Sequence, residues 1–237
     1  MRHYFEDFID DLKSTHGDNL ASVILYGSAA AGDFIPHESD YNLLVALNRI
    51  TPKDLRNAHA CMREWGRMGH PVPVYFTVEE LNDAGDVFPI EFHFMERARK
   101  VLYGRDVLAD VKISDRYLRH QTEFELRSKL IKLRREYIHA SASTEDLVEL
   151  MSESLTSFSA LFRAVLLLLG LEPPVKKEAI VDLTVKNLKI DRRPFDKIFD
   201  IRENVATDNL TEGSANELFA EYMDQIEKVI DAVDEMG

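Results

Sequence analysis

The residue types best suited to chemistry stand in two short segments of this sequence. The first is Gly27-Ser28 and the second is Asp40-Tyr41-Asn42, with eleven residues between them. A glycine and a serine at the start of a helix offer free backbone N–H groups, the positive end of the helix dipole and a hydroxyl donor to a phosphate. Residues 40 and 42 of a strand project from one face of the sheet. Two oxygen ligands beside a triphosphate suit a hard divalent ion such as Mg²⁺, so the pattern predicts a nucleotide site.

The segments around this pattern alternate between predicted strands and predicted helices. Short apolar runs, partly β-branched, indicate strands, and apolar residues spaced three and four apart indicate helices. Pro73 predicts a sheet edge or a strand entry, and Pro52 predicts a helix start. The predicted strands are 21–25, 41–47, 72–78 and 88–95, and the predicted helices are 4–13 and 52–68. Interleaved strands and helices predict an α/β or α+β domain over residues 1–108.

Residues 109–237 have a different texture, with long helical patterns and few glycines. The segment 117–139 predicts a helix with one solvated face, and 146–169 carries a nearly continuous apolar stripe typical of a bundle core. Shorter helices are expected near 176–187 and 194–203, and a last helix over 215–235. A bundle of four or five helices is the simplest architecture for this half.

Composition limits the function classes. The chain of 237 residues has 29 basic and 42 acidic residues, a net charge of −13. Binding to the nucleic-acid backbone or to an anionic membrane is therefore not expected. The single cysteine, Cys61, has no intramolecular disulfide partner, and the charged sequence MRHYFEDFIDDLK does not suit a signal peptide, so a cytoplasmic protein is expected. The longest apolar run, 164–169, is too short to span a bilayer.

The order of Gly27-Ser28, a spacer and Asp40-x-Asn42 in an apolar strand resembles the DNA polymerase beta-like nucleotidyltransferase superfamily. It is most similar to the small bacterial members related to aminoglycoside nucleotidyltransferases. The segments 86–92 and 101–106 also look like the closing part of their catalytic domain. The resemblance implies the α+β class, with a mixed sheet flanked by helices and a helical bundle after it.

The same resemblance implies a reaction and a set of roles. An acceptor attacks the α-phosphorus of a nucleoside triphosphate such as ATP, and pyrophosphate leaves with the help of Mg²⁺ or Mn²⁺. Gly27 and Ser28 would hold the terminal phosphates, and Asp40 would bind metal. The general base remains unassigned.

Three positions depart from the family pattern. Asn42 stands in place of the second aspartate, and its amide oxygen brings no negative charge to the metal. Ala31 stands where many relatives have arginine. The segment 72–78 has no charged residue to act as the third carboxylate, and Glu91 is the substitute candidate, although a glutamate in an alternating strand is often solvated.

These observations leave two functional hypotheses. The first is a Mg²⁺-dependent transferase that moves a nucleoside monophosphate onto a small molecule or a protein. The second is a catalytically weakened relative that binds a nucleotide or a partner without turnover, with an antitoxin-like role as one form of it. A small-molecule acceptor would lie in a cleft that the bundle shapes, nucleic acid is an unlikely partner, and a homodimer could form through the helical domain.

Overall fold

The computed structural model describes residues 2–31, 40–113, 115–174, 176–202 and 210–236. It divides into two compact units, residues 1–114 and residues 115–237. The N-terminal unit contains a sheet with helices, and the second unit is helical. This arrangement confirms the predicted α+β class with a helical second half.

The elements of the N-terminal unit alternate along the chain. They are α1 Arg2–His16, β1 Leu20–Tyr26, α2 Ser28–Ala31, β2 Asn42–Leu47, α3 Pro52–Asn57, α4 His59–Arg67, β3 Val74–Thr77, α5 Val78–Asp83, α6 Pro89–Arg97 and β4 Arg99–Gly104. The four strands form one mixed sheet in the order β3-β2-β1-β4. β1 is antiparallel to both β2 and β4, whereas β3 is parallel to β2 and lies at the edge. Pro73 directly precedes this edge strand, as expected.

Each face of the sheet has its own apolar core, because successive side chains of a strand point to opposite faces. On one face, Val23 and Val45 pack in a cluster with Phe8 of α1 and Trp65 of α4. On the other face, Ile24, Leu44 and Ala46 pack with Leu81 of α5 and with Phe92 and Met95 of α6. Burial on both faces explains why β1 and β2 are apolar at nearly every position.

The segment 88–95 is not the strand that the sequence predicted. Residues 89–97 form the helix α6, with Pro89 in its first turn. Proline suits this position because its fixed φ matches the helix and its missing N–H would have no partner there. The apolar residues at 88, 90, 92 and 94 imitate the alternation of a strand. The buried positions do not alternate: they are Pro89, Ile90, Phe92 and Met95.

The predicted helix 52–68 is divided into α3 and α4. α3 begins with a capping box, in which Thr51 accepts from the backbone of Asp54 while the Asp54 carboxylate accepts from Thr51 N–H. Ala58 separates the two helices and is buried. A single helix over 52–68 would place Leu55 on the same face as Trp65, but with the helix divided at Ala58, Leu55 is 47% exposed whereas Trp65 is buried.

The second unit consists of five long helices among the residues that the structure describes. They are α7 Asp115–Ala140, α8 Thr144–Leu168, α9 Lys177–Leu188, α10 Arg193–Arg202 and α11 Glu212–Asp234. α8 packs against the other four helices and forms the centre of the unit. By length and composition alone α8 could cross a membrane, and 56% of its apolar window is buried inside the structure.

Candidate functional site

Gly27 forms the turn that joins β1 to α2. Its φ of +79° lies in the left-handed region that glycine adopts without strain. Its N–H donates to the Ala98 carbonyl at 3.0 Å, and its own carbonyl accepts from Ala30 and Ala31 N–H at 3.0 and 3.1 Å. Because the Gly27 N–H is engaged, any backbone donors for a phosphate come from the first residues of α2, whose N–H groups lack partners within the helix.

Ser28 is the first residue of α2, in the position that the sequence predicted for a phosphate contact. Its side chain lies outside the described part of the structure. The segment between α2 and Asp40, residues 32–39, is also outside it. Ala31 ends α2 and is exposed.

Asn42 meets the Gly27 turn from the neighbouring strand. It is the first residue of β2 and pairs with Tyr26 of β1. Its Nδ2 atom lies 3.6 Å from the place that a Cβ on Gly27 would occupy. Two of the predicted site residues, far apart in sequence, are therefore adjacent at one end of the sheet.

Asp40 precedes β2 by two residues and is exposed. Burial is the main influence on the His70 pKa and lowers it. The negative charge of Asp40 acts in the opposite direction and raises the His70 pKa. The His70 ring is 4.8 Å from the Tyr41 ring and 4.7 Å from the Trp65 ring, measured between centroids. Sequence reasoning missed His70, because nothing in its local pattern connects it with the Asp40 segment.

Glu91 lies on α6 rather than on a strand, and it is exposed. Burial raises the Tyr26 pKa, and the Glu91 charge raises it further, so the Glu91 carboxylate lies near the residue that precedes Gly27. α6 packs on the sheet face that carries Ile24 and Leu44. Asn42 points to this same face by strand alternation. Glu91 and Asn42 therefore lie on the same side of the sheet, although the helix places Glu91 there for a different reason than predicted.

β3 supplies no carboxylate to this end of the sheet. Its residues are Val74 to Thr77, and Val74 pairs with Leu44 of β2. Within the described ranges, no three His, Cys, Asp or Glu side chains gather closely enough to hold a metal ion. The ligand set of Asp40, Asn42 and Glu91 therefore remains a prediction.

Arg99 is the cation nearest in register to the Gly27 turn, since it pairs with Tyr26 at the start of β4. Its Nε donates to Asp106 Oδ2 at 2.9 Å, and its Nη1 donates to the Glu96 carbonyl at 3.2 Å. The guanidinium is thus neutralised by a carboxylate and fixes the loop that follows β4. It stabilises the frame of the site and is not a ready phosphate ligand.

The mixed sheet, the glycine turn after β1 and the helical second unit together define a nucleotidyltransferase-like fold. A solved structure with this fold is the spectinomycin adenyltransferase AAD(9) from Enterococcus faecialis, crystallised with ATP and spectinomycin. It matches 98% of this chain and 98% of its own chain, with a TM-score of 0.56 and 10% sequence identity. No family model and no curated protein sequence matches the chain. At this identity the likeness establishes the fold.

Proposed function

We propose that this protein transfers a nucleoside monophosphate from a nucleoside triphosphate to a small molecule that carries a hydroxyl group. The observation that carries the proposal is the meeting of Asn42 with the Gly27 turn, with Asp40 two residues away along the chain. The nucleotidyltransferase-like fold supports it. The solved neighbour that contains ATP and spectinomycin supports both substrate classes.

In this reaction the acceptor oxygen forms a bond to the α-phosphorus. The bond from the α-phosphorus to the oxygen that bridges it to the β-phosphate breaks, and pyrophosphate leaves with that electron pair. The hydroxyl proton passes to a base. The residues at the start of α2 would hold the terminal phosphates, and Gly27 allows the triphosphate to approach the backbone closely.

Asp40 and Asn42 are the side chains that would hold a divalent cation, with Glu91 as the third candidate. The set contains only oxygen donors, which fits Mg²⁺ or Mn²⁺, but the pair of Asp40 and Asn42 carries a single negative charge. A bound cation would neutralise charge that develops on the phosphates. Asp40 is exposed and is therefore accessible to a solvated ion.

A second candidate function is nucleotide binding without turnover. It is favoured by Asn42 in place of an acidic residue and by the lack of a cluster of three acidic or other metal-binding side chains among the described residues. In this case the Gly27 turn would still bind phosphates, but the leaving group would gain too little charge stabilisation. The two candidates differ in whether a product forms.

The test is incubation with α-labelled nucleoside triphosphates and a panel of hydroxyl-bearing acceptors that includes spectinomycin. The transferase proposal expects labelled product with the wild-type protein and with Asp7→Ala, which removes an exposed carboxylate of α1, but not with Asp40→Ala. If only Asn42→Asp forms product, the second candidate is correct. Turnover by Asp40→Ala at the wild-type rate would overturn the assigned role of Asp40.

A further inference from the structure

Four large apolar side chains form an exposed stripe along α7. They are Tyr117, Phe124, Ile131 and Ile138, exposed by 43%, 68%, 57% and 70%. They recur every seven residues, so they lie nearly on one line along the helix, about 30 Å from end to end. An exposed apolar line of this length indicates an interaction surface.

A recess lies beside this stripe, between α7 and α11. Its volume is about 250 Å³, and its α7 wall consists of Arg127, Leu130, Ile131 and Arg134. These four positions have the spacing i, i+3, i+4 and i+7, which is the hole that receives a side chain from a facing helix in coiled-coil packing. A cavity of roughly 150 Å³ holds a benzene ring, so the recess can receive an aromatic side chain.

We propose that the occupant is the α7 helix of a second copy of this chain, packed antiparallel about a twofold axis midway between Phe124 and Ile131. This axis brings Phe124 of each copy to the level of Ile131 in the other, beside the recess. It also brings Tyr117 to the level of Ile138. The protruding Phe124 ring and the recess lie on the same surface of one copy. An isologous twofold contact requires this, because both copies use the same surface.

Charge favours the antiparallel direction. A parallel pair would place Arg135 against Arg135. The antiparallel pair places Lys132 within about 3 Å, along the helix axis, of the level of Glu125 of the other copy, on the same flank. The Arg127 side chains of the two copies lie near the axis and near each other. Each is neutralised within its own copy, because its Nε donates to Glu123 at 2.7 Å and its Nη2 to Asp234 at 3.4 Å.

Disulfide trapping tests the register in the full chain. Ser128→Cys places a thiol almost on the axis, where two packed helices approach closely enough for a disulfide. Arg135→Cys places its two thiols about 20 Å apart along the helices. We expect a covalent dimer under mild oxidation for Ser128→Cys and none for Arg135→Cys. The native Cys61 is buried and does not interfere.

Sedimentation equilibrium tests the surface. We expect a wild-type dimer at micromolar concentration and a dissociation constant raised about tenfold or more by Phe124→Glu, as for the loss of a central aromatic contact. Leu55→Glu, on the exposed side of α3, is the matched control and should leave the constant unchanged. Circular dichroism should show unchanged helicity in both variants.

Three results would overturn the proposal. A wild-type monomer at every concentration would mean that the stripe binds a different molecule. Cross-linking of both cysteine variants would mean a parallel pair. A dimer that persists unchanged in Phe124→Glu would mean that the copies meet through another surface.

Discussion

The two units of the chain are stabilised by different features. The helical unit depends on the volume of buried aromatic side chains, for example Phe158, whose ring lies 6.4 Å from that of Tyr222 and 6.5 Å from that of Phe162. The N-terminal unit also depends on backbone conformations that only glycine adopts easily, at Gly27 and Gly104. The candidate site residues Ser28 and Asn42 stand next to Gly27. Large buried side chains therefore determine the packing of the bundle, whereas glycine turns determine where the candidate site residues lie.

The largest expected effect is in the bundle. Phe158 is 1% exposed, and Phe158→Ala should lower the free energy of unfolding of the helical unit by about 3–5 kcal/mol, through lost burial and the cavity that remains. Phe124→Ala, at a site 68% exposed, should change it by less than about 0.5 kcal/mol in the monomer. Urea unfolding followed by circular dichroism measures both. Equal effects would contradict the description of α8 as the centre of the unit.

The next effect is in the sheet. Gly104 has a φ of +75°, and a Cβ there would lie 2.1 Å from the Ala21 carbonyl oxygen. Gly104→Ala should therefore destabilise the N-terminal unit by about 2 kcal/mol or more. Gly66 is helical with open space around it, and Gly66→Ala should stabilise by about 0.5–1 kcal/mol. Thermal unfolding measures both effects. We expect Gly104→Ala to lower Tm and Gly66→Ala to raise it, and shifts of the same sign would contradict the backbone argument.

The smallest effect concerns pH. His16 is 7% exposed, and burial lowers its pKa although Asp54 opposes the shift. Below about pH 6.5 the unfolded chain binds a proton that the native ring resists, so stability should fall as the pH drops toward the lowered pKa and then level off. The slope contributed by His16 is at most about 1.4 kcal/mol per pH unit.

The measurement is urea unfolding between pH 7.5 and 5, for wild type and for His16→Gln. The His70 pKa is lowered as well, so the wild-type slope contains both histidines, and the difference between the two proteins isolates His16. A His16→Gln slope equal to that of the wild type would show that the native ring titrates normally.

Most of the architecture could be predicted from the sequence, because burial leaves a periodic pattern. The stripe of α8 has helical spacing over six turns, and β1 and β2 are short apolar runs between glycines and polar residues. The segment 88–95 was predicted wrongly because its aromatic residues alternate by chance. Pro89 was the local signal for a helix, since proline suits the first helical turn.

Less of the candidate site could be predicted. The contact between Asn42 and Gly27 follows from strand pairing, which the motif implied. The influence of the Glu91 charge on Tyr26 depends on how α6 packs on the sheet, and that of the Asp40 charge on His70 depends on the path of the chain after α4. Such electrostatic influences arise from tertiary packing, and no spacing along the chain encodes them.

The central claim is that the Gly27 turn, Asp40 and Asn42 form a nucleotide site. The most direct measurement is calorimetric titration with each nucleoside triphosphate, with and without Mg²⁺, for wild type, Asp40→Ala and the control Asp7→Ala. We predict that binding requires the metal and that Asp7→Ala retains it. Asp40→Ala should weaken binding about tenfold or more, because a polar interaction with a charged group contributes about 1.5–3 kcal/mol. The absence of binding to every nucleotide, or equal binding by Asp40→Ala, would contradict the account.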